Sequence, residues 1–465
     1  MKYRFYLKLI AILALIFALL VAKSFISGLV SERQYFRQQA YNAIEQSWPG
    51  EQTVAAPLLV LPYKLIYNRV ETITDTSSQK VVSVVKEVVD YEKLIISPSQ
   101  LTINTEVKHD IRYRGIYGIP VYSSHIRLNG EFNSQAILDE SQKYKDKTIQ
   151  WGTPILTLAV QDQRGINSPG ELKWQDQTLP FQPSAGLKDL EQGMHVKLPM
   201  PSTAEATKLV FSFELDLFGM KALKFAPLAQ NAEIKASADW PHPSFIGTIL
   251  PVSHDIQAQG FQATWRSSSF SFNTETIIAD CETSSCANLL SASVGFELVQ
   301  PVDIYQQAER CVKYAELFIV LTFTALILFE LLKKLRIHPV QYTLVGMALL
   351  MFYLLLIAWS EQVAFKYAYG IGASACTLLL TCYFGAILKS VKLGLLLGVS
   401  LAVLYAVLYV ILQSENNALL MGSLLTFALL SVLMLTTRHF DWYALTRQNE
   451  AIDDFDDDVK SERSC

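Results

Sequence analysis

The sequence predicts a membrane protein: six transmembrane α-helices, with a large β-rich, antiparallel and sandwich-like domain inserted between the first and the second. Three observations predict it. The 465-residue chain is 51% hydrophobic, above the usual share of a soluble domain. The excess is concentrated in 314 to 435, whereas 29 to 310 hold most of the charge and nearly all the Asn, Gln and Pro. Within 29 to 310 the apolar residues alternate with period two, the spacing of half-buried strands. The resulting layout is an anchor at 1–28, a β-rich domain at 29–310, a five-helix bundle at 311–437 and an acidic tail at 438–465.

A helix needs about 20 apolar residues to cross the hydrocarbon core. Six segments meet that length, near 7–28, 314–332, 341–359, 368–388, 393–412 and 417–435. Their orientation follows from the basic residues in the short joints. Lys2, Arg4 and Lys8 precede the first segment, "KKLR" at 333–336 lies between the second and third, Lys389 and Lys392 between the fourth and fifth, and Arg438 and Arg447 after the sixth. The opposite joints, "SEQVAFKY" and "QSENN", carry one Lys and two Glu. Both termini are therefore expected in the cytoplasm, and 29–310 outside it, in a bacterial periplasm. The first segment has a basic start like a signal peptide. Apolar character resumes after Lys23 in "SFISGLV" and no A-x-A site follows, so it reads as an uncleaved anchor.

After the anchor, "SERQYFRQQAYNAIEQSWPG" reads as a short helix stopped by Pro49 and Gly50. The strands follow. "APLLVLPYKLIY", "KVVSVVKEVVDYEKLIISP", "TPILTLAVQD", "KLVFSFELDLFG" and "GFQATWRSSSFSF" are rich in β-branched and aromatic residues and are punctuated by Gly, Pro, Asn and Asp. The run has no helical pattern within it, which is the basis for expecting an all-β domain of one or two subdomains.

The net charge of −4 supplies no basic field, so nucleic acid is not expected as a partner. No H-E-x-x-H, G-x-S-x-G or G-x-x-x-x-G-K-[ST] occurs, and no catalytic, cofactor-binding or metal residue set is assigned. Ser83 and Lys86 match S-x-x-K, but on a strand that spacing is a chance match. His109, His125, His195, His242 and His254 are scattered; only His242 and His254 are near one another, and no metal spacing results. "GIGASA" at 370–375 imitates a dinucleotide loop inside an apolar run. Gly370, Gly372, Ser374 and Gly385, with Gly394 and Gly398, read instead as small residues that let helices approach. Glu330 is expected to pair with Lys333 and Lys334 on its own helix, and Glu316 with Lys313.

Two features are candidate sites. Cys281 and Cys286, in "DCETSSCAN", lie in a Ser/Thr/Asn-rich stretch where a local disulfide is expected if the domain is outside the cytoplasm. Trp240, Pro241, His242, Pro243, Ser244 and Phe245 form a proline-stiffened aromatic stretch that could contact a partner or, alternatively, pack as a strand-connecting turn.

Particular words of the sequence resemble one family. They are "QDQRGI", "WPHPSFIGTILP", "GFQATW", "KYAELFIVLTFTALILFE", "HPVQYTLVGMALLMFYLLLIAWSE" and "NNALLMGSLL" followed by "TRHFDWYAL". In order and spacing they look like the CreD family of bacterial inner-membrane proteins. The resemblance implies a protein of the inner membrane with no established enzymatic activity, linked to the CreBC two-component system, to envelope integrity and to β-lactam stress, and the expectation is of a non-enzymatic, multi-pass protein. It implies no cofactor. The expected partners are the lipid bilayer and an unidentified envelope protein or cell-wall component, with the oligomeric state open. A transporter or lipid-handling protein and an envelope stress sensor are the alternatives, the latter using the acidic tail.

Overall fold

The computed structural model describes residues 2–74, 81–202, 205–299, 304–333, 337–413 and 418–438. Lys334 to Arg336, most of "QSENN" and the acidic tail lie outside them. The chain divides into two units: Met1–Arg37 with Val302–Cys465, and Gln38–Pro301.

The chain begins with one continuous helix, Lys2–Ser47, where the sequence reading expected an anchor followed by a separate short helix. Gly28 is the one glycine between them and costs about 1 kcal/mol in a helix interior, too little to break the run. Pro49 is the first residue that cannot continue it, and the Trp48 N–H closes the last turn on Ile44.

Among the described residues four helices are long and apolar enough to cross a membrane: Ile10–Ser47, which begins in the first unit, and Pro339–Ser360, Phe365–Ile387 and Val391–Gln413 within it. Six were expected. The other two expected crossings fall on helices Ala315–Lys333 and Ala418–Thr437, several of whose side chains lie outside the described residues. On the N-terminal helix Ile12, Leu19, Ile26 and Val30 are buried, a stripe at spacings of seven, seven and four. They share one core with Phe318, Phe323, Val345, Leu349, Phe352 and Tyr405 of the bundle.

Glycines set the closest helix contact in the bundle. A Cβ at Gly394 would lie 2.6 Å from the Gly385 Cα, and one at Gly398 2.0 Å from the Thr381 hydroxyl. Gly372 abuts Phe352, whereas Gly370 has open space around it. Gly394→Leu is expected to destabilise the bundle by about 1–3 kcal/mol, because the facing atoms are backbone that cannot rotate away. Gly370→Ala is expected to be neutral or slightly stabilising. Thermal unfolding of the two variants in detergent separates these outcomes.

Among the described residues the second unit holds three sheets. A four-stranded sheet runs Gln52–Ala55, Ala222–Ala226, Val294–Leu298, Pro243–Gly247. A nine-stranded sheet is built on Lys208–Met220, Tyr117–Asn133, Gln100–Arg114, Asn231–Ala238 and Gly260–Ser268, in that spatial order. A six-stranded sheet runs Gln182–Pro183, Gly193–Lys197, Ile155–Ala159, Leu58–Thr74, Val81–Ile96, with Thr148–Trp151 also on Leu58–Thr74. Buried side chains of all three, among them Leu59, Leu128, Leu158, Phe211, Phe225, Trp265 and Phe296, form one contiguous core.

Two expectations are corrected here. Two of the three sheets are mixed: Gln52–Ala55 runs parallel to Ala222–Ala226, and Asn231–Ala238 parallel to Gln100–Arg114, whereas the six-stranded sheet is antiparallel as expected. Period-two alternation marks a strand and its buried face but is silent on the direction of its neighbour. The unit also contains helices, Gln135–Lys143, Ser269–Phe272 and Thr274–Thr283. The expected strand "GFQATWRSSSFSF" stops at Ser268, where a capping box turns the chain into helix.

Candidate functional site

The two candidate cysteines meet at one end of the six-stranded sheet. Cys281 lies on the Thr274–Thr283 helix, not in a loop, and Cys286 opens the 3-10 turn that follows. They are joined as a disulfide, with both residues buried in the core.

Beside them is a groove of about 490 Å³. Its floor comes from three neighbouring strands. Lys64 pairs with Tyr91 and Gln150, and Pro62 with Lys93, so these side chains share the solvent face of the sheet, opposite the buried Tyr63. The Lys64 ammonium sits 5.4 Å from the centre of the exposed Tyr91 ring. Lys93 is half-buried and reaches within 3.7 Å of the Cys286 sulfur. Burial pushes its pKa down, against the nearby Glu282 carboxylate. Glu282, on the helix that carries Cys281, accepts the Ile95 backbone N–H at 2.6 Å. Burial holds its carboxyl above the usual range. Beneath the sheet the Tyr63 hydroxyl donates to Glu140 at 2.7 Å, and its pKa is raised by burial and that carboxylate.

A half-buried ammonium, a carboxyl with a raised pKa and an exposed tyrosine face in one groove make a recognition surface for hydrogen bonding and charge. Because the folded Glu282 favours its protonated form, stability is full below the ordinary carboxylate range and falls as pH rises through the folded pKa. Glu282→Gln keeps the acceptor for Ile95 and removes the charge. It is expected to raise the midpoint of thermal unfolding at pH 7.5 and to leave it unchanged at pH values below the ordinary carboxylate range.

The Trp240–Phe245 stretch is engaged within its own unit. Trp240 donates its indole N–H to the Val299 carbonyl at 2.9 Å and meets the His109 ring edge-on. Pro243, Ser244 and Phe245 enter a strand paired with Val294–Leu298. The Phe245 ring packs against His254, Phe261 and Trp265. Pro241 is half-buried, and His242 stays exposed. Three other histidines are hydrogen-bonded, His109 to Asp239, His125 to Asp216 and His195 to the Ser184 carbonyl. Ser83 and Lys86, three apart on one strand, point to opposite faces of the sheet.

In the first unit Glu330, Glu316 and Glu361 each pair with a cation of the N-terminal helix; for Glu316 this replaces the expected Lys313, whereas the Lys333 side chain and Lys334, expected beside Glu330, lie outside the described residues. Glu330 takes its ion pair from Lys8 on the N-terminal helix and accepts the Tyr342 hydroxyl at 2.7 Å. Lys8 also donates to the Ile337 carbonyl at 2.6 Å. Glu316 binds Lys23 at 2.7 Å, and Glu361 faces Arg33 at 3.5 Å. At a rise of 1.5 Å per residue, Lys8, Lys23 and Arg33 clip the helix at intervals of about 22 and 15 Å. The helix Pro339–Ser360 opens as expected: Pro339 occupies the first helical position, His338 accepts the Val340 N–H, and Gln341 reaches back to the His338 N–H.

The family model for the inner membrane protein CreD matches residues 4–443. The chain belongs to the CreD family. The inner membrane protein CreD of Escherichia coli (strain K12) is 31% identical over 439 residues, spanning 94% of each chain. Solved structures with some likeness include the M1 zinc metallopeptidase from Deinococcus radiodurans and a point mutant of it. Each is 9% identical at a TM-score of 0.18, covering 37% of this chain and 38% of the other. So slight a likeness carries no statement about fold or activity. CreD membership fixes the setting of the features above: an inner-membrane protein with apolar helices and a large β-rich unit. The groove beside Cys286 went unnoticed in the sequence because Lys64, Lys93, Gln150 and Glu282 come from four separate elements. Only the cysteine pair marked its position.

Proposed function

We propose that this CreD-family protein crosses the inner membrane six times with both ends in the cytoplasm. Its β-rich unit lies in the periplasm and supports envelope integrity by binding another envelope protein or a cell-wall component rather than by catalysis. Expression under the CreBC two-component system and a role under β-lactam stress belong to the same reading. The observation that carries it is the placement of a large unit with its own core and an accessible polar groove directly after the first apolar helix. The basic residues of the short joints support the orientation. The Cys281–Cys286 bond suits an oxidising compartment.

In a strain lacking the gene, the full chain is expected to restore tolerance to envelope stress, and a Tyr91→Ala/Lys93→Ala/Glu282→Ala chain to fail while inserting normally. Hydrolysis of a cell-wall substrate or a β-lactam by the purified full chain would overturn the non-catalytic reading. Reporters fused after Gln413 and after Thr437 are expected on opposite sides of the membrane; the same side for both would sink the six-span topology.

A lipid-handling reading is favoured by one observation. A cavity of about 530 Å³ among the helices Ala315–Lys333, Phe365–Ile387, Val391–Gln413 and Ala418–Thr437 is lined mainly by Leu and Val, with Phe384 at one wall. Such a lining suits an acyl chain and offers no path for an ion. Retention of lipid by the detergent-purified chain, lost on filling the cavity with Ser400→Phe, is the result this second reading requires.

A further inference from the structure

The geometry points to a self-pairing edge: two copies of this protein join through the Val81–Ile96 strands, antiparallel about a twofold axis at Val88, and fuse their six-stranded sheets. This goes beyond the contact function above and stands without it. Val81–Ile96 is the terminal strand of its sheet, sixteen residues long, and no further strand pairs with its outer side among the described residues. Near one end Glu282 accepts the outward Ile95 N–H. Pairing with Leu58–Thr74 proceeds without a register shift, so the N–H and C=O groups of residues 93, 91, 89, 87 and 85 also point outward. An exposed edge of this length is a template for another strand. Between its charged residues it exposes apolar ones: Val85 is 63% exposed, Tyr91 75%, and Val70 of the neighbouring strand, directly opposite Val85, 64%.

Charge selects the occupant. Within the sheet Lys86 stands directly opposite Arg69, a like-charged pair that is unfavourable alone. Neither side chain has a carboxylate within ion-pair distance among the described residues. A second copy centred on Val88 places its Asp90 opposite Lys86, twice by symmetry, and its Tyr91 opposite Val85. Centres at Lys86, Glu87 or Asp90 oppose like charges on the axis. A centre at Val89 sets Val85 against Lys93 and Glu87 against Tyr91, losing the apolar match. With odd residues bonded across the interface, Val88 faces its own copy in a non-hydrogen-bonded pair, where side chains are closest.

The test uses the full chain in native membranes, with Cys311, Cys376, Cys382 and Cys465 changed to alanine and the Cys281–Cys286 pair kept. Under mild oxidation Val88→Cys is expected to give a reducible dimer, and Val84→Cys and the exposed control Phe270→Cys to give none above background. Lys86→Asp is expected to abolish the Val88→Cys dimer, and adding Asp90→Lys to restore it. The unmodified chain in mild detergent is expected to have twice the protomer mass. A Val88→Cys dimer no stronger than the control, strongest crosslinking at Val89→Cys, capture of a different protein, or a single-protomer mass each overturns the proposal.

Discussion

Valine at Gly295 is expected to abolish the folded β-rich unit. Gly295 lies in a central strand of the four-stranded sheet, between Lys224 and Ile246. A Cβ there would stand 2.1 Å from the Leu223 carbonyl oxygen and 2.7 Å from the Lys224 Cα. Both are backbone atoms held by the sheet ladder, so relief requires breaking strand pairs around Phe225 and Phe296, two of the largest fully buried side chains. The cost is about 3 kcal/mol or more, the upper end for overpacking. Limited proteolysis of membranes reads it directly: the unit resists cleavage in the native chain and is degraded in Gly295→Val. Gly28→Ala, where nothing lies within 4 Å of an added Cβ, is the control and should retain resistance.

Lys8→Glu is expected to detach the N-terminal helix from the bundle at its first residues. The substitution sets a second carboxylate against Glu330, whose oxygens are already committed to Tyr342 and Ile337, and strands two like charges in a partly buried site. Breaking a buried pair costs about 3–5 kcal/mol; both side chains here retain some exposure, 24% and 15%, so about 2–3 kcal/mol is expected. The swap Lys8→Glu/Glu330→Lys restores opposite charges and is expected to recover most of the loss in detergent thermal unfolding. Failure of the swap together with a small effect of each single change would mean that the pair contributes little.

Much of the fold was legible because it depends on local signals. Twenty apolar residues bounded by His338, Pro339 and Glu361 mark a span, and the structure gives the helix Pro339–Ser360 with its proline start. Leu209, Phe211, Phe213, Leu215 and Leu217 at alternate positions mark Lys208–Met220 as a strand, and its burial alternates accordingly. What stayed hidden depends on distant partners. Lys8 and Glu330 are 322 residues apart, and no local spacing in the sequence links them. The parallel pairing of Asn231–Ala238 with Gln100–Arg114 leaves no mark in either segment. The Thr274–Thr283 helix was concealed by Thr, Asp and Cys, which favour loops when read alone. Ile278 and Cys281, packed into the core, hold it helical. The groove of Tyr91, Lys93 and Glu282 shares that cause, since only tertiary packing assembles it.

The central claim is that the β-rich unit lies outside the cytoplasm while the chain's end lies inside. Phe270 is 93% exposed on that unit and is the natural place for a single reporter thiol. The background replaces Cys311, Cys376, Cys382 and Cys465 with alanine and retains the Cys281–Cys286 bond. In cells with a permeabilised outer membrane and an intact inner membrane, Phe270→Cys is expected to react fully with a membrane-impermeant maleimide, whereas a cysteine at Arg438 reacts only after the inner membrane is broken. Protection of Phe270→Cys until lysis would contradict the account.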